Sequence, residues 1–306
     1  MFQLQSEAKF LERLDIMFLQ LIISGIAIGS IYALVALAMV IIYKTSEVPN
    51  FAQGEMAMLS TFVAFMLLET YGHSFLISFT GALLFAILLG AFLEFVFLRR
   101  AKQPNVLSLI LITLGFEMML YGIGSWKWGA EQHSFPFPVS DYDIVNLGPA
   151  VLSHLNIVTL LVALFLMLAL FLFFKYTKVG IAMKATQQNV MAARINGIRA
   201  NRILSITWAM SSFIGAVAGM MLAPIATLDP NLMLDPLLKG FAAAVLGGMT
   251  TLVGSALGGY ILGIIETLFG GYVSLQFKSI VAFLIIVLVL CFKPSGLFAK
   301  HYVRRV

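Results

Sequence analysis

The sequence predicts an all-α polytopic membrane protein, a helical bundle of about eight to nine transmembrane spans with broken or re-entrant helices. Three observations predict it. Of 306 residues, 61% are hydrophobic and only 11% charged, with a mean hydropathy of +1.00, which leaves too little polar surface to clothe a water-soluble globule. Charge-free runs recur at 16–43, 70–93, 144–174, 203–228 and 240–265, each longer than the roughly 20 residues a helix needs to cross about 30 Å of hydrocarbon. No series of ~10-residue stretches alternates polar with apolar residues, as an outer-membrane barrel would require.

Taken in order, the first span is 16–43. Lys9 and Arg13 precede it, yet 28 residues without charge exceed the core of about 7–15 in an export signal, so an uncleaved helix is expected. "VPNFAQGEMAML", residues 48–59, then breaks the apolar pattern with a proline, the amides Asn50 and Gln53, a glycine and Glu55. Further spans are expected at 55–70, 75–98 and 105–123, followed by an external loop at about 124–153. The crossing 154–174 leads to a long basic loop, 175–202, and then to 203–223, 254–271 and 277–293. The stretch 239–250, "KGFAAAVLGGMT", is apolar but only 12 residues long, which suggests a half-length or re-entrant helix within 239–253. The whole chain, 1–306, is expected to form one transmembrane domain.

Charge sets the orientation, because lysine and arginine gather on the cytoplasmic side. Segment 175–202 carries Lys175, Lys178, Lys184, Arg194, Arg199 and Arg202 and no acid, so it is expected in the cytoplasm. Arg99, Arg100 and Lys102 join it, as do Lys293, Lys300, Arg304 and Arg305 near the C-terminus. Segment 124–153 has one lysine against Glu131, Asp141 and Asp143, as an external loop would. At the N-terminus Glu7, Glu12 and Asp15 offset the two basic residues, and counting crossings back from Arg99 favours the outside.

Two interruptions, 48–54 and 239–253, fall in the two halves of the chain, and paired breaks of this kind point to a substrate path. The first reads either as a polar connecting loop at the membrane surface or as a broken helix beside the pathway. In the second case Asn50, Gln53 and Glu55 border the route, with Glu55 in a first helical turn where the helix dipole favours an anion. Carboxylates inside a membrane are costly and face the bundle or a cavity. Glu94, five residues before Arg99, can reach the cytoplasmic interface; Glu117 and Glu266 lie deeper, as structural hydrogen-bonders or pathway groups. Small-xxx-small spacings at Gly25/Gly29, Gly215/Gly219, Gly254/Gly258 and Gly259/Gly263 allow close helix packing.

Enzyme signatures are absent: there is no G-x-x-x-x-G-K-[ST] phosphate loop, no G-x-S-x-G elbow and no H-E-x-x-H pair. The four histidines are scattered, and a single cysteine, Cys291, permits no intrachain disulfide. No resident cofactor or metal is expected. Within the basic segment, "MAARINGIRANRI" reads as a short helix, 187–195, closed by Asn196–Gly197 as a C-cap.

Three regions carry a resemblance: "GIAIGSIYALVALAMVIIYKTSEVPNFAQGEMAML", "GIAMKATQQNVMAARINGIRANRILSITWAMSSFIGAVAGMMLAP" and "LDPLLKGFAAAVLGGMTTLVGSALGGYILGIIETL". In that order, with the terminal "KPSGLF", they resemble the branched-chain amino acid ABC transporter permeases, and in particular the shorter, first permease subunit. Ala192-Ala193-x-x-x-Gly197 is similar to the loop by which ABC importer permeases couple to their ATPases, with Met191 where a glutamate often stands. Gln53 occupies a position where histidine is frequent. The resemblance implies a homologous second permease, two cytoplasmic ATPases that bind ATP and magnesium, and an external or periplasmic solute-binding protein, in a bacterial inner membrane and with no nucleic-acid partner. Ala192, Ala193, Arg194, Gly197 and Arg199 would then contact an ATPase. It implies import of leucine, isoleucine and valine, or of urea or short amides as in related systems. The competing class is an ion-coupled secondary transporter or channel using Glu117 or Glu266.

Overall fold

The computed structural model describes residues 2–46, 48–101, 105–139, 143–147 and 150–298; Lys102, Asp141, Lys300, Arg304 and Arg305 lie outside them. The described chain is a helical bundle. Helix α1 (Phe2–Ser46) carries the first apolar run unbroken and ends where Thr45 and Ser46 turn their hydroxyls back onto the Ile42 carbonyl, each at 2.9 Å. Pro49 follows, and a proline disfavours helix at the residue before it. After the irregular stretch 48–52 come α2 (Gln53–Phe65) and a π-helical turn, Met66–Thr70. Then follow α3 (Phe75–Val96), a 3₁₀ turn at Leu98–Arg100, and α4 (Val106–Trp128), whose first turn is capped by Asn105.

The segment after α4 contains a two-stranded antiparallel hairpin, β1 (Ile144–Leu147) and β2 (Ala150–Ser153). It leads into α5 (His154–Tyr176), whose N-cap, Ser153, accepts from Asn156 N–H. The basic segment holds α6 (Lys178–Gln188) and α7 (Val190–Ile195), and the second half of the chain is α8 (Ala200–Leu222), α9 (Leu234–Gly247), α10 (Leu252–Tyr272) and α11 (Ile280–Phe292). Six helical segments are long and apolar enough to cross a membrane: 16–46, 75–100, 106–128, 154–176, 200–222 and 252–272.

Three boundaries differ from the sequence reading. The short apolar helix begins at Leu234 rather than 239 and stops at Gly247, so the interruption is Gly248–Thr251, with Gly248 at φ 104°. Charge hid the first turn: Asp235 and Lys239 break the apolar pattern but sit one turn apart and pair at 2.6 Å. Helix α4 runs to Trp128, shortening the expected external loop, and ends at Gly129 with φ 74°. The helix expected at 187–195 starts at Val190, because Asn189 is extended and caps it.

Helix α1 forms the centre: 89% of its most apolar window is buried, against 17% for α4. Helices α3, α4 and α5 turn Leu84, Leu88, Leu111 and Phe165 outward, as lipid-facing helices do. The packing repeats. Helix α1 lies on α10 as α3 lies on α8; α2 lies on α8 as α9 lies on α1; and the pairs α2–α3 and α2–α4 match α9–α10 and α9–α11. Thus α1–α4 and α8–α11 are two copies of one four-helix arrangement, each with a short second helix. Both long pairs are antiparallel, Gly25 meeting Ile264 while Gly29 meets Tyr260. The N-terminal end of α1 shares a side with the loop between α4 and α5, through Gln20 and Val151. The C-terminal end of α8 also reaches that loop, through the His133–Leu228 bridge, so the two copies run in opposite directions, an inverted repeat of the kind transporters use.

Candidate permeation and coupling sites

The opening break is buried. Asn50 and Gln53 are 0% and 1% exposed, where every polar group needs a partner. The Asn50 carboxamide oxygen accepts from Ala52 N–H at 3.1 Å, and its nitrogen donates to the Gln53 oxygen at 3.2 Å. Gln53 in turn donates to the Ser211 carbonyl at 3.1 Å. The Ser211 hydroxyl lies 2.7 Å from both the Gln53 oxygen and the Ala38 carbonyl, and donates to one of them at a time. This network fastens α1, the break, α2 and α8 together at one point. Ser211 escaped the sequence reading because a lone serine in an apolar helix carries no spacing signal.

Glu55, in the first turn of α2, is 6% exposed, and its Oε2 has no hydrogen-bond partner. Glu117 on α4 is half-buried. Glu94 instead pairs with Arg99, at 3.2 and 2.9 Å from Nε and an Nη, and takes the Ser205 hydroxyl as well. Glu266 pairs with Lys239 at 2.6 Å, both side chains 4% exposed, although its Oε2 stays without a partner. Lys239 also reaches Asp235 on the exposed side and stands 5.4 Å from the Tyr32 ring centroid. Lys239 was missed as a partner because 27 residues separate it from Glu266; its signal was a lysine at the head of an apolar run.

The glycines lie at backbone contacts. A Cβ on Gly25 or Gly29 would come 2.7 or 2.9 Å from the Cα of Ile264 or Tyr260 on α10. Gly215 and Gly219 face α2, where a Cβ would strike the Gln53 amide at 2.2 Å or the Thr61 hydroxyl at 2.6 Å. Gly254 and Gly258 face α9, where a Cβ would come 2.4 or 2.2 Å from the carbonyl oxygen of Gly247 or Ala243.

On the basic side, α7 is a six-residue helix closed at both ends. The Asn189 side chain accepts from Ala192 N–H at 3.0 Å, and Ile198 N–H returns to the Ala193 carbonyl at 3.0 Å across Gly197, whose φ is +79°. Ala193 is buried beneath it; Ala192, Arg194, Gly197 and Arg199 are exposed, and so are Met191 and Ile195 at 65% and 80%. Beside it a cleft of about 670 Å³ is lined by Arg99, Arg194, Arg199, Arg202 and Ser205. Among the described residues no ion pair engages Arg194, Arg199 or Arg202.

A family model described as branched-chain amino acid transport system / permease component matches residues 21–290. The chain belongs to this family. Among relatives, the high-affinity branched-chain amino acid transport system permease protein LivH of Salmonella typhimurium is 30% identical over 94% of this chain and 98% of its own. The corresponding protein BraD of Pseudomonas aeruginosa is 27% identical over the same shares. Among solved structures, a chain of PsaBC from Streptococcus pneumoniae, in complex with Fab, superposes with a TM-score of 0.50 over 90% of this chain and 91% of that one. At 14% identity that likeness speaks for the fold alone. This family member is therefore a multi-pass membrane permease component, built as an inverted helical repeat around a buried polar break.

Proposed function

We propose that the chain is the first permease subunit of an ATP-binding-cassette importer for branched-chain amino acids or a related small polar solute. Chemistry on ATP and magnesium belongs to two partner ATPases; an external binding protein delivers the solute and a homologous second permease completes the path. The family match over 21–290 carries this reading, and α7 supports it: a short, capped, exposed helix offering Met191, Ala192 and Ile195 beside an arginine-lined cleft is shaped to seat in a partner's groove. ATP-driven closure of the ATPases would push on α6 and α7 and rock the two inverted halves between outward and inward access.

Counting α2 with its π turn, α9 and α11 beside the six long segments gives nine crossings, each reversing the one before. On this count the N-terminal end of α1 is proposed to lie outside and the C-terminus in the cytoplasm of a bacterial inner membrane, with the whole chain one permease domain. Asn50, Gln53, Glu55, Glu117 and Glu266 are proposed to border or support the pathway. Uptake of labelled leucine into vesicles holding the complete complex should require internal ATP and added binding protein. Uptake driven by a sodium or proton gradient without ATP would overturn the assignment in favour of a secondary transporter.

A further inference from the structure

Three carboxylates are buried in the bundle, and the chain supplies a cation to two of them: Arg99 to Glu94 and Lys239 to Glu266. For Glu55 none occurs among the described residues. Its Oε2 is buried and has no hydrogen-bond partner among them. A buried carboxylate without a counter-charge either keeps its proton or is met by a cation from outside the chain's own bundle.

The packing register sets a second carboxylate, Glu117, near it. Met58 touches Gly124, and Phe62 stacks on Trp128 at 4.8 Å between ring centroids. Helices α2 and α4 therefore advance together, which sets Glu55 level with Tyr121 and Glu117 one turn away, about 5.4 Å along the axis. Thr113, Glu117 and Tyr121 follow one another at spacings of four, a polar stripe along a largely apolar helix. A half-exposed carboxylate at that depth does not face lipid. The stripe must border water or a neighbouring subunit.

We propose that Glu55 and Glu117 form one cation-receiving subsite on the permeation route, and that the group received is the protonated amine of an amino-acid substrate. This rests on the permease reading and narrows it: neutral urea and amides lack the charge the site is built for. An ammonium with three donors can bridge two carboxylates one turn apart, whereas a bare metal ion needs more oxygen ligands than these. No group of three or more metal-ligating side chains occurs among the described residues.

The test uses the whole complex in a Cys291→Ser background, because Cys291 is an exposed free thiol. Glu117→Cys is labelled with cationic aminoethyl or anionic sulfonatoethyl methanethiosulfonate in each nucleotide state. The cationic reagent should react about tenfold faster, the low end of what a charged cleft gives; adding Glu55→Gln should abolish the preference. Leucine should slow the labelling, while urea or sodium chloride at the same concentration should not. Tyr121→Cys, one turn away, reports on the same subsite if Glu117→Cys fails to assemble. Equal rates for the two reagents, a preference that survives Glu55→Gln, protection by urea or sodium equal to that by leucine, or no labelling in any state would each overturn the subsite. Failure of the permease reading would show separately, as absence of ATP-dependent uptake by the parent complex.

Discussion

Lys239 and Glu266 show how a single residue's role depends on its partner. Two charges taken out of water are tolerable only together, so removing one should cost about 3–5 kcal/mol, while replacing both by neutral groups of similar size should cost far less. We therefore expect Lys239→Met to lower the thermal midpoint of the detergent-solubilised complex strongly, and Lys239→Met with Glu266→Gln to recover most of the loss. An additive double variant would mean that the two side chains do not stabilise each other. The glycines are decided by the opposing backbone. Gly29→Leu places a side chain where its Cβ already lies 2.9 Å from the Tyr260 Cα, and overpacking a tight core costs about 1–3 kcal/mol or more. Gly115→Leu, with nothing within 4 Å of its Cβ, should insert and assemble normally, as a comparison of folded yield by size-exclusion chromatography would show.

At the scale of an element, α7 is too short to persist by helix propensity alone, and its two closures hold it. Asn189→Ala removes the side-chain acceptor for Ala192 N–H, a loss of about 1 kcal/mol. Gly197→Val forces a β-branched residue into φ +79°, at a cost of roughly 1–2 kcal/mol. A Cβ at Gly197 meets nothing within 4 Å in this chain, so the folding cost is conformational and any added bulk falls on the partner. Both variants should insert normally, yet lose docking of the ATPases or their stimulation by loaded binding protein. Wild-type stimulation by Gly197→Val in an intact complex would remove α7 from the coupling mechanism. The C-cap could be read in advance because Asn-Gly after a helical run has a local cause. The split into α6 and α7 at Asn189 could not, since asparagine serves inside loops and as a cap alike.

Across the molecule, the inverted halves make a topological prediction. Two copies of one arrangement running in opposite directions require an odd number of intervening crossings, which α5 provides. In the Cys291→Ser background, His73→Cys, in the turn between α2 and α3, should react with a membrane-impermeant maleimide on intact cells. Met191→Cys, on α7, should react only after permeabilisation. Labelling of both from the same side would contradict the proposed alternation of nine crossings.

The sequence by itself determined that the chain lives in a membrane, where its long helices run, that its arginines and lysines gather in one segment between them, and where the first break falls. Those features follow from composition, length and charge, which act locally or through the solvent and need no partner to be known. Tertiary structure alone decided what the polar groups do. Asn50 and Gln53 stood out in the sequence, but the bonds of Gln53 reach across 158 residues to Ser211, and spacing cannot announce a partner that far away. Glu55 and Glu266 look alike as carboxylates in apolar runs; only packing gives Lys239 to one and leaves the other without a cation among the described residues. The physical reason is that hydrocarbon solvent rewards apolar length wherever it occurs, whereas a buried polar group is judged by the few ångströms around it, and those are assembled by helices far apart in the chain.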